Sequence, residues 1–93
     1  MRLDKFLKAS RLLKRRSLAQ EACDLGAVKV NGKEAKAAKR LKEGDILELD
    51  LSHVYLKVRV CALPEGGIRK TEASSLYEIL EERKKDWRKE LLG

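Results

Sequence analysis

Apolar residues recur every three or four positions in the first quarter of the chain and every second position through its middle. Over residues 2–9, Leu3, Phe6 and Leu7 fall at i, i+3 and i+4, with Arg2, Lys5 and Lys8 off that stripe. This spacing predicts a short amphipathic helix. A connector is expected over 10–16, with Leu12 and Leu13 packing there. The next helix is expected to start at Ser17, where Ser17-Leu-Ala-Gln20 has the form of a capping box. Leu18, Ala22 and Leu25 would be its buried side, and Gly26 suits the left-handed position that ends many helices.

The period then changes. "AVKVNGKEA" alternates Val28 and Val30 with Lys29 and reaches Asn31-Gly32, a dipeptide that favours a tight hairpin because both residues tolerate positive φ. Residues 37–42 are expected to form a loop or irregular edge, and Gly44-Asp45 a second turn. Leu47, Leu49 and Leu51 alternate with Glu48 and Asp50, and Ser52-His53 marks a hairpin apex. On the return, Val54, Leu56, Val58 and Val60 share one face, opposite Tyr55, Lys57, Arg59 and Cys61. "LPEGGIRK" at 63–70 joins the only proline to a glycine pair and predicts a linker. Beyond it, Thr71 can cap a last helix over 71–93, with Ala73, Leu76, Tyr77, Leu80, Trp87 and Leu91 on one face and a Glu81–Lys85 pair on another. The expected fold class is α+β: two short N-terminal helices on a small antiparallel sheet, plus a C-terminal helix. The expected organisation is a domain at 1–62, a linker at 63–70 and a helical extension at 71–93.

Ninety-three residues suffice for one domain with a small core. No apolar run approaches a membrane span, and the N-terminus lacks the apolar core of a signal peptide, so a cytoplasmic location without membrane contact is expected. Cys23 and Cys61 are the only cysteines and His53 the only histidine, with no metal-ligand spacing between them. Two reduced thiols, no metal and no cofactor are therefore expected. Catalysis finds little material either. His53 beside Ser52 at a hairpin tip is not a triad, and Glu48 and Asp50 fall on the outer face of a strand.

Charge alters the picture once it is divided along the chain. Residues 1–43 hold thirteen Lys/Arg against five Asp/Glu, while residues 44–93 hold nine against ten. The net +7 thus belongs to the N-terminal half, which points to a polyanion-binding face. Arg15 and Arg16 precede the second helix, where exposed amides and the helix dipole already favour a phosphate and where a purely structural role would prefer acids. Arg2 and Lys5 stand one turn apart on the first helix, and Arg11 and Lys14 lie between the two. Lys29, Lys33, Lys36 and Arg40 could extend a basic stripe along the hairpin. Aromatics are scarce, so binding should rest on phosphate and sugar contacts more than on base stacking.

"RLDKFLK" (2–8), "KRRSLAQEACDLGAVKVNGKEAK" (14–36) and "LKEGDILEL" (41–49), in that order, resemble the RNA-binding domain first described in ribosomal small-subunit protein four, the S-four domain. The resemblance spans roughly residues 1–60 and is most similar to the small ribosome-associated quality-control branch of that family. It implies a non-catalytic factor that binds the free large ribosomal subunit, with large-subunit rRNA, tRNA and the tailing factor RqcH as partners. Such a factor supports C-terminal tailing of stalled nascent chains and is expected to be monomeric off the ribosome. By motif position, Arg2 and Arg16 are the first RNA contacts, followed by Lys5, Arg11 and Arg15. Competing expectations are recycling of heat-stalled large subunits, a DNA-binding helix-turn-helix over residues 2–26, and a protein-interaction module built on the helix after residue 71.

Overall fold

A computed structural model describes residues 1–63 and 75–85. Two helices, α1 (Leu3–Ala9) and α2 (Arg16–Asp24), precede five strands: β1 (Val28–Val30), β2 (Lys33–Glu34), β3 (Ile46–Asp50), β4 (Val54–Val60) and β5 (Tyr77–Lys84). The strands form one antiparallel sheet in the order β2-β1-β3-β4-β5. The α+β class is as expected.

The predicted stripe of α1 forms the centre of the core. Leu3, Phe6 and Leu7 are wholly buried against Val28, Leu47, Leu49 and Val58 from one face of the sheet. The segment expected to be an irregular edge straps down the start of α1: Leu3 N–H donates to the Lys39 carbonyl at 2.8 Å, and Asp4 N–H to that of Ala37 at 3.1 Å. Leu41 N–H donates to Met1, and Arg2 bridges Arg40. Orphan amides of the helix N-terminus are thereby satisfied by chain some thirty-five residues downstream.

Both predicted turns form. Asn31 (φ 52°) and Gly32 (φ 85°) make the β1–β2 hairpin, with both central residues at positive φ. The Asn31 side chain ties this turn to the Gly44-Asp45 turn, accepting from Ile46 N–H at 2.9 Å and donating to Asp45 Oδ1 at 3.1 Å.

Three local expectations are corrected. The capping box does not form: Arg15 is the N-cap of α2 and makes no side-chain cap bond, while Ser17 is exposed inside the first turn. The buried face of α2 is Ala19, Ala22 and Cys23, whereas Leu18 is 43% and Leu25 78% exposed. Apolar residues at 18, 19, 22, 23 and 25 allow two helical phases, and the phase adopted turns the smaller side chains inward. Finally, residues 77–84 are strand β5, not helix. They pair with β4 over its whole length, from Val60↔Tyr77 to Val54↔Lys84, with a bulge at Lys57/Val58. Leu76 is buried, and its carbonyl accepts from Cys61 N–H at 2.8 Å. The backbone groups of β4 would otherwise be unpaired along that edge, and pairing them outweighs the helix propensity of the Glu- and Leu-rich segment. The expected Glu81–Lys85 pair is replaced by Glu81–Arg83 and Lys85–Asp50. Thr71, Ala73, Trp87, Leu91 and most of the expected 63–70 linker lie outside the described residues.

Candidate nucleic-acid interface

Asp4 is the fourth residue of a chain rich in surface charge, yet its side chain is wholly buried. Its position explains this: Asp4 stands beside Leu3 and one turn before Leu7, on the edge of the α1 stripe that meets α2. A buried carboxylate is tolerated only when its lone pairs are filled. Asp4 Oδ2 accepts from Arg16 Nε at 3.0 Å, Gln20 Nε2 at 3.0 Å and an Arg2 terminal nitrogen at 3.2 Å. Oδ1 accepts from Lys5 N–H at 2.8 Å. Burial by itself pushes the Asp4 carboxyl up. The hydrogen bonds from Gln20, Arg16 and the Lys5 amide, with the Arg16 charge, outweigh that and hold it below the ordinary carboxylate range.

Arg2 and Arg16 are therefore joined through one carboxylate. Each remains about two-fifths exposed, at 43% and 40% of the side chain. Asp4 engages Arg16 through Nε, so the two terminal guanidinium nitrogens of Arg16 are not used in that contact. Arg2 Nε lies 3.2 Å from Asp4 but makes no hydrogen bond there. Two guanidinium groups are thus pre-positioned on one side of the helical pair, a layout suited to bidentate capture of phosphate oxygens. Arg16 also has a structural partner that composition did not reveal. Its charge at the start of α2 is balanced from α1 rather than by acids in the first turn of its own helix, which has none.

The other candidates separate by location. Arg40 pairs with Arg2 through a backbone bridge, and Lys36 lines the same cleft as Arg2, together with the acids Asp24 and Glu34. Lys5 is exposed on α1 and Arg15 caps α2. Arg11 and Lys14 line a separate concavity together with Lys8. Lys33 is on edge strand β2. Lys29 does not join the stripe: it alternates with the buried Val28 and Val30 and points from the opposite face of the sheet. Cross-strand register places it between Glu34 and Glu48, and continues through Lys57 to Glu81. That row alternates in sign across all five strands and leaves no net cationic surface.

Asp4, Gln20 and Lys8 were not among the sequence candidates. For Asp4 the signal was an acid flanking an apolar helical stripe; for Gln20 the same residue type fits a capping box equally well. Cys23 is buried, and burial with the nearby Asp4 and Asp24 charges pushes its thiol up to about 11, so it is inert near neutral pH. Both cysteines are free thiols. Among the described residues no cluster of metal-ligating side chains occurs, and no helix is long and apolar enough to cross a membrane.

Two helices strapped to an antiparallel sheet, with basic residues gathered at the helical end, define a class of small RNA-binding module. The S4 domain family matches residues 1–47, which include both helices, the hairpin and the Asp4 cluster, and the chain belongs to that family. It is 50% identical over 82 residues to the RQC P-site tRNA stabilizing factor of Halalkalibacterium halodurans, covering 88% of this chain and 92% of that one. The Bacillus subtilis protein of the same name is 46% identical over 84 residues, covering 90% and 96%. Among solved structures, that of Vibrio cholerae heat shock protein 15, described as trimeric, superposes with a TM-score of 0.77 at 33% identity, covering 85% of this chain and 80% of that one.

Proposed function

We propose that this chain is a ribosome-quality-control factor that binds the large ribosomal subunit and steadies tRNA in the P site. At the coarser level it is an S4-family RNA-binding protein with a ribosome-associated, non-catalytic role. The names carried by relatives that match it over nearly their whole length support the finer reading. The observation that carries it is the convergence of Arg2 and Arg16 on buried Asp4, which builds a fixed pair of phosphate-directed groups inside the family-defining segment. Arg2 and Arg16 make the principal RNA contacts, with Lys36 and Arg40 extending them and Lys5, Arg15 and Lys33 at the margin. The protein works in the cytoplasm as a monomer when off the ribosome, and cooperates there with RqcH in tailing the stalled chain.

Likeness to heat shock protein 15 favours a second reading, recycling of heat-stalled large subunits. Identity of 50% against 33% ranks it below the first. A DNA-reading helix-turn-helix would need a free recognition helix, whereas here α2 is bonded to α1 through Gln20 and Arg16. Affinity purification from cells, followed by sequencing of bound nucleic acid, tests these readings. Joint recovery of large-subunit rRNA and tRNA is expected; recovery of DNA, or of no nucleic acid, contradicts the proposal. With about four phosphate contacts, log K should fall against log salt with a slope of roughly −3.

A further inference from the structure

The two outer edges of the sheet differ in length. β2, at one edge, is two residues long, and so short a strand blunts an edge against further pairing. β5, at the other, runs for eight residues without a proline, and among the described residues nothing pairs with its outer side. Such an edge is a template for another strand.

The hydrogen-bond phase of β5 shows which of its backbone groups face out. Cys61 N–H donates to the Leu76 carbonyl at 2.8 Å, and Lys85 N–H to that of His53 at 3.0 Å, one bond at each end of the ladder. Counted inward from both ends through the register, Glu78, Glu81 and Arg83 occupy the hydrogen-bonded pairs with β4. Tyr77, Ile79, Glu82 and Lys84 therefore direct their N–H and C=O groups away from β4. Leu80 is the extra residue of the bulge and divides these four into two pairs.

The four are symmetric about the bulge. A two-fold axis perpendicular to the sheet, passing between Leu80 and Glu81, sets Tyr77 opposite Lys84 of a second copy and Ile79 opposite its Glu82. Every outward residue then meets an outward residue, and no other two-fold register does this for all four. The same register sets Glu78 opposite Arg83 of the second copy, twice over, which is an attractive cross-strand pair. Glu78 and Arg83 keep 52% and 71% of their side chains exposed beside their own ion pairs with Arg59 and Glu81. Leu80, 45% exposed, flanks the axis in both copies. Sliding one copy by a residue puts Glu78 opposite Glu82 in one direction and Glu81 opposite itself in the other, both repulsive.

We propose that the outer edge of β5 is a self-recognition surface on which a second copy of this chain pairs antiparallel, Glu78 against Arg83. The sheet then continues from one molecule into the other. This surface is independent of the RNA-binding reading. Two eight-residue strands bury well under the roughly 1,200 Å² at which stable interfaces begin. The protein is accordingly a monomer when dilute and pairs as it is concentrated.

Sedimentation equilibrium of the full chain, from about 20 μM to about 2 mM, reads the mean mass. Wild type should rise from monomer toward dimer with a dissociation constant on the order of 0.1–1 mM. Glu78→Lys and Arg83→Glu each set like charges opposite one another at both ends of the pair, so each variant alone should associate about tenfold more weakly. An equal mixture of the two variants restores opposite charges at both ends and should associate within about threefold of wild type. Amide hydrogen exchange at Tyr77, Ile79, Glu82 and Lys84 should slow as wild type is concentrated, while Glu78, Glu81 and Arg83 keep the protection they have in the monomer. A wild type that stays monomeric throughout, or forms a trimer, overturns the proposal. So do single variants that associate like wild type, and a mixture no better than its components.

Discussion

The two faces of this small protein handle charge in opposite ways. On the outer face of the sheet, Glu34, Lys29, Glu48, Lys57 and Glu81 follow one another across five strands with alternating sign. Each cation there has acidic neighbours, so the row is balanced within the protein. On the helical side, one buried carboxylate serves two arginines, and Lys8, Arg11 and Lys14 have no carboxylate partner among the described residues. An excess that the fold leaves unbalanced, and holds in place from beneath, is what an external polyanion would balance. Net charge is thus informative about binding only after each residue is assigned to a face.

The sharpest way to break this contrast is to remove the carboxylate beneath the arginines. Asp4→Asn should weaken binding to large subunits by well over tenfold, because both guanidinium groups lose their fixed orientation. Breaking a fully buried ion pair costs about 3–5 kcal/mol, but these arginines are two-fifths exposed and can rehydrate, so about 2 kcal/mol is expected in urea unfolding. Arg16→Ala should follow, with roughly tenfold weaker binding and a stability loss near 1 kcal/mol, since Gln20 and the Lys5 amide still fill Asp4.

Acid sharpens the same comparison. The carboxyl of Asp4 is held below its unfolded value, so its contribution to stability is complete above the ordinary carboxylate range and is lost as pH falls through its lower folded pKa. Urea unfolding between about pH 7 and pH 2.5 should show this loss in wild type, and Asp4→Asn should lack that increment. The smallest effect is expected on the balanced face: Lys29→Ala should change subunit binding by less than about twofold and stability by less than about 0.5 kcal/mol. A Lys29 variant that bound as poorly as Arg16→Ala would erase the distinction between the faces.

What was legible in advance was what is coded locally. The α1 stripe, the Asn31-Gly32 hairpin and the Gly44-Asp45 turn each depend on residues within one turn or one pair of strands, and each formed as read. The Asp4 cluster was not legible, because its partners Arg16 and Gln20 lie 12 and 16 residues away and only the packing of α1 on α2 brings them together. Arg2 and Arg16 could be chosen as binding residues on charge and family likeness, but not the group that positions them. Lys29 looked like part of a basic stripe because sequence does not show which face of a sheet a neighbouring segment leaves open. Strand β5 is hidden in the sequence for a related reason: Leu76, Tyr77 and Leu80 fit a helical period, and only pairing along the edge of β4 selects the extended form.

The central claim is that Asp4 acts on RNA binding through the arginines it holds. A double-variant cycle of Asp4→Asn and Arg16→Ala, read as affinity for large ribosomal subunits carrying tRNA, tests it directly. If Asp4 works through Arg16, the double variant should bind much less poorly than the product of the two single losses. If the two losses simply multiply, Asp4 and Arg16 act independently, and Asp4 does not work through the arginine.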